Sequence, residues 1–138
     1  MSDEGGTFRK VKQDDPTRLF GPRALLLCGL DPEEQDAVQG MADFLKDLPV
    51  IVVRAEDATE TVGSLVGLKD GHGFGVETEL PRAMIISGLD GQELHMIMAA
   101  WRKMKLEQPL WATLTPVSQN WPLSKLLAEL LAEDKLYN

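Results

Sequence analysis

The sequence has few of the residues on which catalysis and metal binding usually depend. It contains one cysteine, Cys28, and two histidines, His72 and His95. A single cysteine excludes an intramolecular disulfide, and its place inside an apolar run is typical of a protein from a reducing compartment. Neither histidine has a cysteine or a second histidine at the spacing of metal ligands. We therefore predict no catalytic residues, no metal and no cofactor.

Long apolar runs and excess positive charge are also lacking. Runs such as residues 49–53 are far shorter than the stretch of about 20 residues that spans a bilayer. Residues 1–15 lack the pattern of a signal peptide, so we expect a soluble protein. The formal net charge of −8 opposes binding to nucleic acids or to anionic membranes. These absences leave a protein as the expected binding partner.

What the chain does contain is an internal repeat. Residues 22–31 read Pro-Arg-Ala-Leu-Leu-Leu-Cys-Gly-Leu-Asp, and residues 81–90 read Pro-Arg-Ala-Met-Ile-Ile-Ser-Gly-Leu-Asp. Such self-similarity predicts two copies of one supersecondary unit that pack on each other. The predicted organisation is a flexible basic leader (1–21), a first copy (22–68), a Gly-rich linker (69–80) and a second copy (81–138), with 22–138 forming one compact domain.

Each copy has the pattern of strand, helix, strand, helix. An apolar run is followed by a capping box, Asp31 with Glu34 in the first copy and Asp90 with Glu93 in the second. We therefore predict an α/β fold with two βαβα repeats, a mainly parallel four-stranded sheet flanked by helices, and a pseudo-two-fold between the halves. Three glycines in residues 69–75 predict a mobile connection.

Two helical stripes are predicted to face the core, at the spacing of one helix face. The first comprises Leu94, Ile97, Met98, Trp101 and Met104, and the second comprises Leu123, Leu126, Leu127, Leu130 and Leu131.

The loops after the first strands are one candidate site. Those that begin at Gly29 and Gly88 lie at the carboxyl ends of strands, where open α/β folds usually bind ligands. Neither loop has the glycines and lysine of a phosphate-binding loop, and helix capping explains Asp31 and Asp90 without a ligand. A small-ligand-binding or enzymatic domain that uses these loops is therefore the alternative function.

A second motif carries a family resemblance. Residues 115–123 read Thr-Pro-Val-Ser-Gln-Asn-Trp-Pro-Leu and lead into the leucine stripe. Together with the preceding strand and helix, residues 83–132 resemble a small family of mostly bacterial proteins catalogued as domain of unknown function 3783. The first copy is a diverged relative without the Thr-Pro and Asn-Trp elements. The resemblance implies a compact α/β domain without assigned chemistry.

A tandem form is also similar to nucleus-encoded plastid proteins that help to assemble photosystem I. This resemblance implies a place in the plastid stroma, or at the thylakoid through a protein partner; otherwise the cytoplasm is expected.

The function predicted from these observations is a non-catalytic protein-interaction module, an assembly or scaffold factor. Asn120 is a suitable N-cap for the last helix, with Pro122 in its first turn. Trp121 has two interpretations, a residue that locks the turn or an anchor in an interface. The predicted partner-binding residues are Thr115, Pro116, Ser118, Gln119, Asn120 and Trp121.

Overall fold

The protein folds into an α/β structure of four strands and four α-helices within residues 18–137, the part of the chain that the computed structural model describes. The predicted leader lies outside it up to residue 17. Short 3₁₀ turns cover Ala55–Thr59 and Ser118–Asn120. The elements in order are β1 (Ala24–Cys28), α1 (Pro32–Ala42), β2 (Val50–Val52), α2 (Val62–Leu65), β3 (Ala83–Ser87), α3 (Gly91–Lys103), β4 (Leu110–Thr113) and α4 (Leu123–Tyr137).

The strands form one mixed sheet in the order β2-β1-β3-β4. The pairs β1–β2 and β3–β4 are parallel, but the central pair β1–β3 is antiparallel. The prediction of a mainly parallel sheet is confirmed for two of the three pairings, and the central pairing is the exception. The crossover rule governs pairing within each strand-helix-strand unit, whereas the long connection between the units lets β3 run in either direction.

The central pairing is symmetrical about two corresponding residues of the sequence repeat. Leu26 faces Ile85, while Ala24 faces Ser87 and Cys28 faces Ala83. The start of β1 thus lies against the end of β3, and the end of β1 lies against the start of β3. The predicted superposition of the two halves is not tested by this register and stays a prediction.

A second symmetrical contact joins the ends of the two halves. The Val62 N–H donates to the Trp121 carbonyl at 3.0 Å, and the Leu123 N–H donates to the Glu60 carbonyl at 2.9 Å. These two bonds hold the start of α2 against the start of α4.

The sheet separates two hydrophobic cores. Because successive side chains of a strand point to opposite faces, each apolar strand supplies both cores. Leu26 and Ile85 pack with α2 and α4 on one face, and Leu25 and Met84 pack with α1 and α3 on the other. All five residues of β1 are buried, which explains its continuous apolar sequence.

Both capping boxes are confirmed. The Glu34 N–H donates to Asp31 at 2.8 Å while the Asp31 N–H donates to the Glu34 carboxylate at 3.0 Å. Asp90 and Glu93 make the same two bonds at 2.8 and 3.1 Å. The start of each long helix is thus set by local sequence.

The helical stripes are confirmed except at their ends. Met104 is 38 % exposed and Leu131 is 39 % exposed, although both were predicted to be buried. Met104 follows the last residue of α3, where the helical spacing no longer applies, and Leu131 lies at the margin of its stripe. None of the helices in residues 18–137 is long and apolar enough to cross a membrane.

Candidate functional site

The loop at residues 115–121, here called the Trp121 loop, is held in one shape by two hydroxyl side chains. The Ser118 N–H donates to the Thr115 hydroxyl at 2.9 Å, and the Thr115 N–H donates to the Ser118 hydroxyl at 3.1 Å. The two hydroxyls are themselves 3.0 Å apart. Ser118 is only 2 % exposed. These predicted binding residues therefore shape the loop, and Ser118 offers no surface to a partner.

The amide side chains of the loop bind its own backbone. Gln119 and Asn120 both donate to the Pro116 carbonyl, at 3.2 and 3.4 Å. The prediction that Asn120 caps the last helix is wrong, because Asn120 ends a 3₁₀ turn and α4 begins only at Leu123. Pro122, just before α4, instead forms an isolated antiparallel β-bridge with Thr61, just before α2.

Trp121 connects the loop to the body of the domain. Its half-buried ring packs against the core between the sheet and helices α2 and α4. The ammonium of Lys125 lies 4.7 Å from the ring centroid, a cation–π geometry. These contacts favour the interpretation of Trp121 as a residue that locks the turn. The exposed part of its ring remains next to a positive charge.

The most exposed apolar side chain of the loop is one that the sequence analysis missed. Val117 is 65 % exposed. Its neighbours Pro116 and Asn120 are exposed as well. The sequence signal that could have indicated Val117 is a single valine between polar residues and proline. The Trp121 loop is therefore a rigid turn with an apolar tip.

At the alternative site, the strand-end loops, other segments of the chain pack closely against both glycines. Gly29 and Gly88 have φ angles of +67° and +72°. A Cβ at Gly29 would collide with the backbone of Leu80 and Pro81, and one at Gly88 would collide with the Gly21 carbonyl. Both glycines are thus explained by turn geometry and close packing.

The segment that covers Gly88 belongs to the predicted leader. The Leu19 N–H donates to the Leu89 carbonyl at 2.8 Å, and the Gly88 N–H donates to the Phe20 carbonyl at 3.2 Å. Arg18 adds a side-chain bond to the Gly88 carbonyl at 3.0 Å. Arg18 to Phe20, in the predicted leader, therefore bond to the second copy, and the predicted boundary at residue 21 stays a prediction.

The charged groups near these loops neutralise one another. Arg82 binds Glu34 with two bonds of 2.7 and 2.8 Å, and Arg23 binds Glu93 at 2.8 Å. The hydrogen bond from Arg82 lowers the pKa of Glu34. Burial alone would raise the pKa of Glu93, but the bonds from Arg23 and the Asp90 N–H bring it below its usual value. Both arginines are thus already engaged by carboxylates of the protein.

The Gly-rich segment 69–75 lies along the outer edge of β2. The Val50 N–H donates to the Asp70 carboxylate at 2.8 Å, the Gly71 N–H to the Val50 carbonyl at 2.9 Å, and the Val52 N–H to the His72 carbonyl at 2.8 Å. These bonds tie the segment to β2, and the predicted mobility of the connection stays a prediction. Glycine content indicates conformational freedom, but it does not indicate which backbone groups will pair.

The cysteine and histidines occupy structural positions. Burial of Cys28 raises the pKa of its thiol to about 12. His72 Nε2 lies 3.0 Å from the carboxylate of Asp57, and His95 Nδ1 lies 2.8 Å from the Gly91 carbonyl. Between residues 18 and 137 no three His, Cys, Asp or Glu side chains come together in a group that could hold a metal ion.

Comparison with known families finds a match in the second half of the chain. Residues 82–137 match the model of a domain of unknown function (DUF3783). The predicted resemblance is thereby confirmed over a slightly longer segment, which runs from just before β3 to the end of α4 and includes the Trp121 loop. No curated protein and no solved structure matched the chain.

Proposed function

We propose that this protein is a non-catalytic protein-interaction module, an assembly or scaffold factor, and that the Trp121 loop is its docking surface. The observation that carries the proposal is the exposure of Val117, 65 %, on a turn that Thr115 and Ser118 hold in one conformation. A preformed loop loses little conformational entropy when a partner binds. Binding residues are also concentrated on loops that a rigid scaffold positions.

The chemistry of the loop suggests what the partner presents. The Val117 side chain suits a shallow apolar pocket, and the exposed Pro116 and Asn120 form a border around it. The Lys125 ammonium above the Trp121 ring adds one positive charge at the side of the surface. A protein surface with an apolar depression and a nearby carboxylate would complement this arrangement.

Two matched valine variants test the proposal. Val117→Asp should abolish capture of specific partners by the purified protein used as bait, because a charge would enter an apolar contact whose loss typically costs about 2 kcal/mol or more. Val76→Asp serves as the control, since Val76 is 37 % exposed and lies outside the loop. Mass spectrometry of the captured proteins is the measurement, and thermal unfolding shows that both variants fold. Equal capture by the two variants would refute the proposal.

Variants of the helix caps distinguish the proposed interaction module from the alternative, a ligand-binding or enzymatic domain that uses the strand-end loops. Asp31→Ala and Asp90→Ala should each cost about 1 kcal/mol of stability through lost capping, with no loss of partner. If they instead abolish function while remaining stable, the strand-end loops are the working site. Trp121→Ala is a less selective probe, because its ring packs against the core and its removal should lower stability as well.

The narrower role that we propose is assembly of photosystem I in plastids, and it depends on the family resemblance alone. The protein would then reside in the stroma or at the thylakoid through a protein partner. Co-purification of photosystem I subunits with the wild-type bait, lost with Val117→Asp, would support this role. Capture of unrelated proteins would refute the photosystem I role and would identify a different partner for the same loop.

A further inference from the structure

The sheet face opposite the Trp121 loop carries helices α1 and α3, and their outer surface includes exposed apolar side chains. Phe44, in the turn after α1, is 87 % exposed, and Met96 of α3 is 44 % exposed. Met104, just after α3, is 38 % exposed. Phenylalanine and methionine side chains with this much exposure are typical of interaction surfaces.

The two arginine contacts show how these residues are distributed. Arg23 binds both the Glu93 carboxylate and the Lys46 carbonyl, so the turn that contains Phe44 lies beside the first turns of α3. Arg82 binds both Glu34 and the Glu107 carbonyl, so the end of α3 lies beside the start of α1. The helices are therefore antiparallel neighbours, with exposed apolar residues towards both ends of the surface.

Charge divides this surface between the two helices. The exposed charges of α3 and its following turn are positive up to residue 105, and those of α1 and its following turn are negative except at Lys46. No salt bridge joins these two sets within residues 18–137. The acids are Glu33, Asp36, Asp43 and Asp47, and the bases are Arg102, Lys103 and Lys105.

We propose that the α1–α3 face is the interface of a homodimer, in which α1 of each copy lies over α3 of the other. A two-fold interface repeats every contact, so an acidic helix and a basic helix on one face are complementary to the same face of a second copy. The net charge of −8 opposes association, but salt at physiological concentration screens that repulsion beyond about 8 Å. The pairs between α1 and α3 act within that distance.

The dimer would place the two Trp121 loops on opposite outer faces. Such an arrangement would let one dimer bind two partners, or two sites on one partner, with increased avidity. This consequence depends on the proposed function of the loop, whereas the dimer itself does not.

The first experiment measures the mass of the full chain by sedimentation equilibrium over a range of micromolar concentrations. The wild type should show a monomer–dimer equilibrium, and Phe44→Ser should weaken it at least tenfold. Val117→Asp, on the opposite face, is the control and should dimerise like the wild type. Phe44 makes few contacts within its own chain, so circular dichroism should show an unchanged fold.

The second experiment uses charge reversal on the two helices. One variant carries Asp36→Lys and Asp43→Lys, and the other carries Arg102→Glu and Lys103→Glu. Each variant alone should be monomeric, because helices of like charge would meet at both contacts. An equimolar mixture should form a heterodimer, because opposite charges then meet at both.

Three results would overturn the proposal. A wild type that is monomeric at every concentration leaves the face to a partner of other chemistry. A dimer that persists in both charge-reversal variants has its interface elsewhere. Failure of the mixture to associate, with both variants folded, shows that the two helices do not meet across the interface. None of these results bears on partner capture by the Trp121 loop, so the two proposals can fail separately.

Discussion

The guanidinium of Arg82 donates two hydrogen bonds to the carboxylate of Glu34, of 2.7 and 2.8 Å. Arg82 immediately precedes β3 and Glu34 belongs to the capping box of α1, so the pair joins the two halves of the chain. Arg23 and Glu93 make the reciprocal contact with one bond of 2.8 Å. The repeated Pro-Arg-Ala segment therefore supplies a cross-link in each direction.

We expect Glu34→Gln to destabilise the protein more than Glu93→Gln. Glutamine can still complete a capping box but cannot form the bidentate charged pair, whose hydrogen bonds contribute about 1.5–3 kcal/mol. Glu93→Gln affects only the single bond from Arg23, so it should lower the free energy of unfolding by less. Urea denaturation measures both free energies of unfolding. Glu33→Gln, at an exposed position that forms no salt bridge with the residues between 18 and 137, should change stability by less than about 0.5 kcal/mol.

Acid should remove the contribution of the Arg82–Glu34 pair. The pKa of Glu34 in the folded protein lies below its ordinary value of 4.5, because Arg82 binds the carboxylate. The folded state therefore binds fewer protons, so the stabilisation is complete above pH 4.5 and is lost as the pH falls through the folded pKa. The stability difference between the wild type and Glu34→Gln should be constant near pH 7 and should decrease as the pH falls below 4.5. A difference independent of pH would contradict this assignment.

The hydrogen-bonded amides along the outer edge of β2 should exchange slowly with solvent. Val50, Val52 and Gly71 donate to partners in the edge contact and should exchange slowly. Asp70→Ala should speed exchange at Val50 in particular, since that amide donates to the Asp70 carboxylate. Amide exchange followed by NMR is the measurement. Uniformly fast exchange through residues 69–75 would contradict this expectation and would support the predicted mobile connection.

Cys28 should resist modification until the protein unfolds. The side chain is fully buried and its thiol has a pKa of about 12, so almost no thiolate exists near neutral pH. A thiol reagent such as DTNB should react slowly with the native protein at pH 8 and quickly in denaturant. Rapid reaction of the native protein would show an opening of the sheet centre that its packing does not indicate.

Local features of the fold could be predicted from the sequence. The apolar run of β1 and the two capping boxes predicted the strand and the helix starts, since each signal lies within a few neighbouring residues. The family match of residues 82–137 also followed from a short local motif. The binding role of the predicted site residues stays a prediction, and the sequence analysis did not foresee the bond between Thr115 and Ser118 or the exposure of Val117.

The chain's long-range partners were decided by tertiary structure. The antiparallel direction of β3 against β1, the burial of Gly29 and Gly88 under other segments, and the edge contact of residues 69–75 all join residues far apart in the chain. The same is true of the Arg82–Glu34 pair. Periodicity and capping report what a segment prefers by itself. Which backbone groups and charges it meets depends on how the two halves pack, because buried donors, acceptors and ions must find partners in the folded chain.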